Sequence, residues 1–228
     1  MNFGFLFDND GVLIDSRELH WKAWQLLMKE DINFYITFDE FLLNFGRRVE
    51  DFLKDQFPNV SIEQRSSWDR KQNSIFNQLV QVEGISLLPG MEDFLLLAKK
   101  HFVPMIIASS ASKENLELFF EKSKLGIFFD KFVCAADVKR GKPDPEVFQI
   151  AAGKLDLDPE NCIVFEDALV GLQAASLAGC TTVALETTQS KDSLGYYDLI
   201  YSSPEKLNFD EIIKFHSYKL EKSNKIRS

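Results

Sequence analysis

The chain has 228 residues, of which 45% are hydrophobic and 27% are charged, so it can bury a large core in one or two domains. Its formal net charge of -9 argues against a nucleic-acid-binding surface, because phosphate backbones are held mainly by distributed Lys and Arg. No apolar run approaches the roughly 20 residues of a membrane-spanning helix, and the N-terminus is typical of a first strand rather than a signal peptide. Three cysteines without close pairing argue against disulfides or structural zinc, so we expect a cytoplasmic protein without membrane partners.

Apolar runs of strand length recur along the chain, and helical patterns separate the later ones. The predicted strands are Phe3 to Phe7, Phe102 to Ala108, Lys131 to Ala135, Cys162 to Phe165, Thr181 to Leu185 and Leu199 to Tyr201. The helices predicted between them are Met91 to Lys100, Ser112 to Lys122, Pro145 to Lys154 and Ala168 to Ala178. This alternation predicts an α/β fold with a doubly wound parallel sheet.

The first two predicted strands are separated by far more residues than one crossover helix needs. Apolar residues recur there at helical spacing, so we expect an inserted α-helical cap over residues 16–86. Residues 1–15 and 87–216 then form a Rossmann-like core, and Pro89-Gly90 marks the return to it. Residues 217–228 are predicted to form a polar, frayed tail.

Two carboxylates stand two residues apart where the first predicted strand ends, in Leu6-Phe7-Asp8-Asn9-Asp10-Gly11-Val12. Strand ends of a parallel sheet open onto the ligand crevice, and strand side chains two apart share a face. Asp8 and Asp10 are therefore candidates for a nucleophile and a neighbouring acid or base. Acidic pairs at strand ends also occur as caps, solvated turns or metal ligands, so the pair alone does not decide its role.

A small hydroxyl-rich turn follows the second predicted strand and leads into a helix, in Ile107-Ala108-Ser109-Ser110-Ala111-Ser112. Hydroxyls and free backbone N–H groups at a helix N-terminus bind anions, so we interpret this turn as a phosphate site. The alternative is that Ser112 only caps the helix, which leaves Ser110 unassigned.

Two further strand ends carry charged side chains. In Gly141-Lys142-Pro143-Asp144-Pro145 two prolines stiffen the chain, and Lys142 is a candidate for neutralising phosphoryl oxygens. Glu166 and Asp167 end the fourth predicted strand, and their hard oxygen ligands suit Mg²⁺. Surface charge for Lys142 and helix capping by Asp167 are the alternatives.

Taken together, these four strand ends resemble the haloacid dehalogenase superfamily. The resemblance covers residues 2–201 and implies a Rossmann-like core with a helical cap inserted after the first strand. It rests on Phe7-Asp8-Asn9-Asp10-Gly11-Val12-Leu13-Ile14-Asp15-Ser16, the Ser110 turn, Gly141-Lys142-Pro143-Asp144-Pro145 and Glu166-Asp167.

The resemblance also implies a mechanism. Asp8 would attack phosphorus to give an aspartyl-phosphate, and Asp10 would protonate the leaving oxygen and then act as a base. Mg²⁺ would bind Asp8, the backbone carbonyl of Asp10 and Asp167, with Glu166 as a direct or water-mediated ligand. The remaining phosphoryl oxygens would be held by Ser110, Ala111 and Lys142. Dehalogenase and phosphonatase branches lack an Asp at the position of Asp10, which therefore indicates phosphate esters.

The cap resembles the beta-phosphoglucomutase-like branch, which also contains sugar phosphatases. Glu18-Leu19-His20-Trp21-Lys22-Ala23-Trp24 is similar to its first cap helix, and Ser110-Ala111-Ser112-Lys113 and Arg70-Lys71 are similar to residues that hold a distal phosphate. The candidate substrate contacts are His20, Trp24, Arg47, Arg48, Lys71, Ser112 and Lys113. The alternatives are packing for Trp24, a structural role for His20 and solvated surface charge for Arg47 and Arg48.

Two departures weaken a mutase assignment. Val49 stands where such mutases carry an Arg, and Glu114 stands where they carry a neutral amide near the distal phosphate. The sequence therefore predicts a phosphatase for a small phosphorylated metabolite, a sugar phosphate above all, as a monomer or weak dimer. A sugar phosphomutase is the enzymatic alternative, and a receiver-like or phosphate-binding regulatory protein is the non-enzymatic one.

Overall fold

A computed structural model describes residues 3–32 and 34–227 of the chain, and within them six parallel strands form one sheet. The strands lie in the order β3-β2-β1-β4-β5-β6, and Phe5 of the central strand β1 is opposite Met105 and Ile163. They are β1 (Gly4–Phe7), β2 (Met105–Ala108), β3 (Phe132–Val133), β4 (Cys162–Glu166), β5 (Thr181–Leu185) and β6 (Leu199–Tyr201). The doubly wound α/β fold is thereby confirmed.

Helices cover both faces of this sheet. Because strand side chains alternate, Phe5, Phe7 and Phe165 pack on one face, while Leu6 and Val164 pack on the other. The phenylalanine rings of Phe7 and Phe165 stack with their centroids 4.6 Å apart, so aromatic contacts stabilise the centre of the first face. The helices of the core are α5 (Met91–Lys100), α6 (Lys113–Lys122), α7 (Glu146–Lys154), α8 (Leu169–Ala178) and α9 (Phe209–Arg227).

Four helices are inserted between β1 and α5, as the sequence predicts. They form a small core of their own, in which Trp24, Phe41, Phe52 and Trp68 are buried. The inserted helices are α1 (Arg17–Leu27), continued by a π-helical turn (Met28–Ile32), α2 (Phe38–Asn44), α3 (Val49–Gln56) and α4 (Ile62–Glu83).

The chain leaves and re-enters the core at one place. Ile14 and Leu87 form an antiparallel bridge, and the backbone N–H of Leu88 donates to the carbonyl of Leu13 at 2.9 Å. The cap limits that we propose, residues 16 and 86, therefore lie beside each other at this bridge.

The C-terminal segment differs from its prediction as a frayed tail over 217–228, because α9 continues to Arg227. Lys219 holds this part of the helix to the core: its Nζ donates to the carbonyl of Cys180 at 3.0 Å and to Asp198 at 2.5 Å. Polar composition alone does not reveal such long-range contacts.

Short helical turns complete the described chain, and no helix within it has the length and hydropathy needed to cross a bilayer. The 3-10 turns are Leu125–Ile127, Ala135–Asp137, Pro159–Asn161 and Pro204–Lys206.

Candidate active site

Asp8 follows β1 directly and is buried at the carboxyl edge of the sheet. Its backbone N–H donates to the carbonyl of Phe165 at 3.0 Å, so the strand pairing fixes its position. Gly11 then turns the chain with a φ of +79°, and a Cβ there would lie 1.9 Å from Oδ2 of Asp167. Glycine is needed both for this turn and for the close approach of Asp167.

Lys142 lies between two carboxylates in the buried centre of the site. Its Nζ donates to Oδ1 of Asp8 at 2.6 Å and to Oε1 of Glu166 at 2.5 Å, and the side chain is only 2% exposed. Its ammonium also lies 5.0 Å from the centre of the Phe148 ring. The alternative of a solvated surface charge is therefore wrong for Lys142.

Glu166 ends β4 and is held rigidly. Its Oε2 accepts hydrogen bonds from the backbone N–H groups of Asp167 and Ala168 at 2.9 and 3.0 Å. A Cβ at Gly171 would lie 1.7 Å from Oε1 of Glu166, so only glycine leaves room for this side chain. Glu166 thus orients Lys142 and supports the turn that carries Asp167.

Asp167 is fully buried, and neither carboxylate oxygen has a hydrogen-bond partner among the residues that the structure describes. Oxygens of Asp8, Glu166 and Asp167 all lie within 4.8 Å of one another. Burial, together with the neighbouring carboxylates, raises the pKa of Asp8 and of Asp167, although Lys142 opposes this for both. Buried hard oxygens with unmet charge fit a divalent cation such as Mg²⁺.

The side chain of Asp10 turns away from this cluster and toward the cap. Its Oδ1 accepts from Ser16 Oγ at 2.5 Å and lies 3.4 Å from Nε2 of His20. Burial alone would raise the pKa of Asp10, but the hydrogen bonds from His20 and Ser16 outweigh it and lower that pKa. Its predicted place in the metal site therefore involves its backbone carbonyl.

His20 lies on α1 and contacts Asp10 at the carboxyl edge of the sheet. Its ring stacks on Phe76 with centroids 3.8 Å apart, and Nε2 faces Asp10. The other ring nitrogen, Nδ1, lies 3.5 Å from the side-chain amide nitrogen of Gln72. Contacts with Phe76, Asp10 and Gln72 therefore fix the orientation of the His20 ring.

The turn after β2 contains both a helix cap and a candidate phosphate ligand. Ser112 Oγ accepts from the N–H of Asn115 at 3.2 Å, which is the capping role considered for it. The N–H of Ala111 donates to Ser109 Oγ at 3.0 Å. Ser110 is half-buried and lines the cavity described next, together with Ser109 and Ser112.

A cavity of about 420 Å³ lies between the cap and the carboxyl edge of the sheet. It joins Asp8 and Asp10 to most of the cap residues singled out from the sequence. The predicted residues that line it are Asp8, Asp10, His20, Trp24, Arg47, Arg48, Ser110, Ala111, Ser112 and Lys113. Lys142, Glu166 and Asp167 lie behind Asp8, outside the cavity wall.

The cap candidates differ in what they contact. Trp24 packs edge-on against Phe52, with ring centroids 5.0 Å apart, and also lines the cavity. Arg48 donates twice to the Asp51 carboxylate, at 2.7 and 3.0 Å. Arg47 donates to the Asp55 carboxylate through one nitrogen and to Asn44 Oδ1 at 3.0 Å through the other.

Lys71 is the exception among the predicted contacts. It forms ion pairs with Glu30 and Asp31 on the cap surface and does not line the cavity. The structure therefore does not bring Lys71 to the cavity, and its contact with the substrate stays a prediction.

Sequence reasoning missed a polar group that links α4 to α6 across the cavity. Asn115 Nδ2 donates to Asn73 Oδ1 at 3.0 Å, and Asn73 Nδ2 donates to Asp69 Oδ1 at 2.8 Å. The spacing of Asp69 and Asn73 on one helix was a weak signal. Their contact with Asn115 depends on how the cap docks.

Known proteins resemble this chain in sequence and structure. The family model described as haloacid dehalogenase-like hydrolase matches residues 5–185. Hexitol phosphatase A of Escherichia coli (strain K12) is 30% identical over 210 residues, which span 90% of this chain and 92% of that protein. Beta-phosphoglucomutase of Bacillus subtilis (strain 168) is 29% identical over 188 residues, which span 79% and 81%.

The fold has matches among solved structures as well. The crystal structure of beta-phosphoglucomutase from Clostridium difficile has a TM-score of 0.85 at 25% sequence identity, covering 96% of this chain and 99% of that chain. These similarities confirm the resemblance inferred from the motifs and the fold class.

Proposed function

Because the chain belongs to the haloacid dehalogenase-like hydrolases, we propose that it is a Mg²⁺-dependent phosphatase for a small sugar phosphate or related metabolite. The observation that carries the proposal is the setting of Asp8. Its carboxylate is held by Lys142, adjoins the Glu166 and Asp167 pair and faces a cavity closed by the cap.

The metal site of the proposal uses residues whose oxygens already cluster. Asp8, Asp167 and the backbone carbonyl of Asp10 would hold Mg²⁺, and Glu166 would act directly or through water. The ion supplies positive charge that offsets the phosphoryl oxygens. Lys142 adds a fixed ammonium beside Asp8, so the charge of the attacking carboxylate and the phosphate is compensated from both sides.

The chemistry divides between the two aspartates. A carboxylate oxygen of Asp8 forms a bond to phosphorus as the ester P–O bond breaks, and the leaving oxygen takes the proton carried by Asp10. Water then attacks the aspartyl-phosphate, and Asp10 takes its proton, which releases phosphate and restores Asp8. The lowered pKa favours the carboxylate form of Asp10, which is the base in the second step and must take up a proton before the first.

A sugar phosphomutase is a second candidate, since His20 and Trp24 both line the cavity and a beta-phosphoglucomutase is among the relatives. The two reactions differ in whether the phosphoryl group passes to water or to a sugar hydroxyl. A coupled assay with a hexose 1-phosphate and its bisphosphate separates them.

The proposal is tested by a screen for phosphate release from sugar phosphates, nucleotides and p-nitrophenyl phosphate with and without Mg²⁺. Wild type should release phosphate only with the metal, Asp8→Asn should be inactive, and Asp10→Asn should be slower by at least about 10². Circular dichroism of both variants controls for folding. An active Asp8→Asn protein, or a wild type inert on every ester, would rule the proposal out.

A further inference from the structure

The cations on the cavity wall are already neutralised by acids outside it. Arg47 pairs with Asp55 and Arg48 with Asp51. Lys113 lies 3.5 Å from Glu117, one helical turn away. Asp55, Asp51 and Glu117 do not line the cavity, so each of the three cations already has an acidic partner outside it.

The acids on the same wall form no ion pairs among the described residues. Glu50, Asp69 and Glu114 line the cavity, and none of them forms an ion pair within residues 3–32 and 34–227. Burial, and then the charge of Glu50, raise the pKa of Asp69 to about 6. Asn73, Arg70 and Arg48 oppose the shift in pKa, so the charge of Glu50 acts in addition to the larger effect of burial.

The amides beside these acids add hydrogen-bond acceptors. Asn115 is 1% exposed, lines the cavity and has an Oδ1 without a partner among the described residues. Its amide N–H is used by Asn73, whose own amide N–H is used by Asp69. Asn115 Oδ1 is therefore available to accept a hydrogen bond, which a hydroxyl group of a ligand supplies.

From this charge pattern, and resting on the phosphatase function proposed above, we infer that the substrate is a monophosphate with a hydroxyl-rich far end and no second anionic group. Glu50, Asp69 and Glu114 repel a carboxylate or second phosphate there. The charges of Arg47 and Arg48 are offset in part by Asp55 and Asp51, which weakens their attraction for such a group. The wall thus selects against bisphosphates and sugar-acid phosphates.

Sorbitol 6-phosphate and 6-phosphogluconate test this inference, because they share a linear skeleton and differ at the far end, where one has a hydroxyl and the other a carboxylate. Each is measured as a competitive inhibitor of Mg²⁺-dependent p-nitrophenyl phosphate hydrolysis. Sorbitol 6-phosphate should bind wild type at least about tenfold more tightly, equivalent to about 1.4 kcal/mol.

A double variant, Glu50→Gln with Asp69→Asn, should reduce that ratio at least about threefold, since it removes two charges and keeps the acceptor oxygens. Asp39→Asn is the matched control, because Asp39 is an exposed cap residue outside the cavity wall; it should keep the wild-type ratio. Equal inhibition by the two esters, inhibition by neither, or an unchanged ratio in the double variant would overturn the inference. If wild type hydrolysed neither p-nitrophenyl phosphate nor any sugar phosphate, that result would instead refute the phosphatase function.

Discussion

Asp167 carries the least satisfied charge of the candidate site. Both of its oxygens are buried and unpartnered in the described part of the chain, and carboxylates of Asp8 and Glu166 lie nearby. An uncompensated buried charge costs folding free energy, whereas a bound cation that contacts it stabilises the folded state by mass action. This one side chain therefore links metal binding to stability.

We predict that Asp167→Asn is more stable than wild type in EDTA, by about 1 to 3 kcal/mol, because the amide carries no charge. In excess MgCl₂ only wild type should gain stability. Urea unfolding under both conditions measures this, with Asp192→Asn, an exposed aspartate of the core, as the control. A variant stabilised by Mg²⁺ as strongly as wild type would remove Asp167 from the metal site.

At the residue level, the sequence best predicts the positions of side chains that follow the end of a strand. Asp8, Lys142 and Asp167 come together because parallel strands bring their carboxyl ends to one edge. The position of Lys71 outside the cavity was not predicted because a sequence does not show which face of a cap helix meets the core. Asn115 was missed because its partner, Asn73, is brought to it by docking alone.

Asn9 stands between the two aspartates of the candidate site. Its side chain is fully buried, and both of its polar atoms lack partners within the described residues. Its carbonyl accepts from the N–H groups of Leu13 and Ile14 at 2.9 Å, which shapes the turn after Asp8. The amide side chain also lies beside the Asp10 carboxylate and helps to lower its pKa, after the larger effects of His20 and Ser16.

At the level of secondary-structure elements, the buried side chain of His216 connects α9 to the sheet. Nδ1 of His216 lies 2.8 Å from the hydroxyl of Thr181 on β5, and the ring is 1% exposed. Burial, and then the charge of Lys219, lower the pKa of His216 to about 4. In the unfolded chain the ordinary value of about 6.5 applies.

Between these two pKa values the unfolded chain binds the proton and the folded chain does not, so folding stability falls as the pH is lowered. We predict that His216 accounts for a loss of about 2 kcal/mol between pH 7 and pH 5. Urea unfolding at both pH values should show that His216→Gln loses about 2 kcal/mol less folding stability than wild type. The control His101→Gln should lose as much as wild type. Equal losses in wild type and His216→Gln would contradict the prediction.

Element boundaries were predicted well where local sequence decides them. Met91–Lys100, Thr181–Leu185 and Leu199–Tyr201 have the predicted limits. The second strand begins later than predicted, at Met105, because Pro104 precedes it and Phe102 adopts a positive φ of 54°. The helical end of α9 depends on Lys219 and its distant partners, which no local pattern reveals.

For the whole molecule, Gln189 connects the cap to the core. Its Nε2 donates to the carbonyl of Leu42 in α2 at 2.9 Å, and its Oε1 accepts from the N–H of Leu169 at the start of α8 at 3.0 Å. Gly46 of the cap also packs closely on Ala168, since a Cβ at Gly46 would lie 2.9 Å from that of Ala168. The closed cap thus rests on the segment that follows Asp167.

We predict that Gln189→Ala shifts the cap toward an open form, because the hydrogen bond to Leu42 contributes about 0.5 to 1.5 kcal/mol. The Michaelis constant should rise about twofold to tenfold, and limited proteolysis within 16–86 should become faster. Gln149→Ala, an exposed glutamine on α7, is the matched control. Unchanged proteolysis and kinetics would show that Gln189 does not hold the cap.

The strand order also bears on how fast the protein folds. Phe5 of β1 pairs with Met105 and Ile163, so the central strand gains both neighbours only through loops that include the cap and half of the core. Closing such loops costs chain entropy before the sheet contacts can compensate, and folds with distant pairings form slowly. The edge at which Asp8 meets Lys142 and Asp167 therefore forms only when residues far apart in the chain have paired.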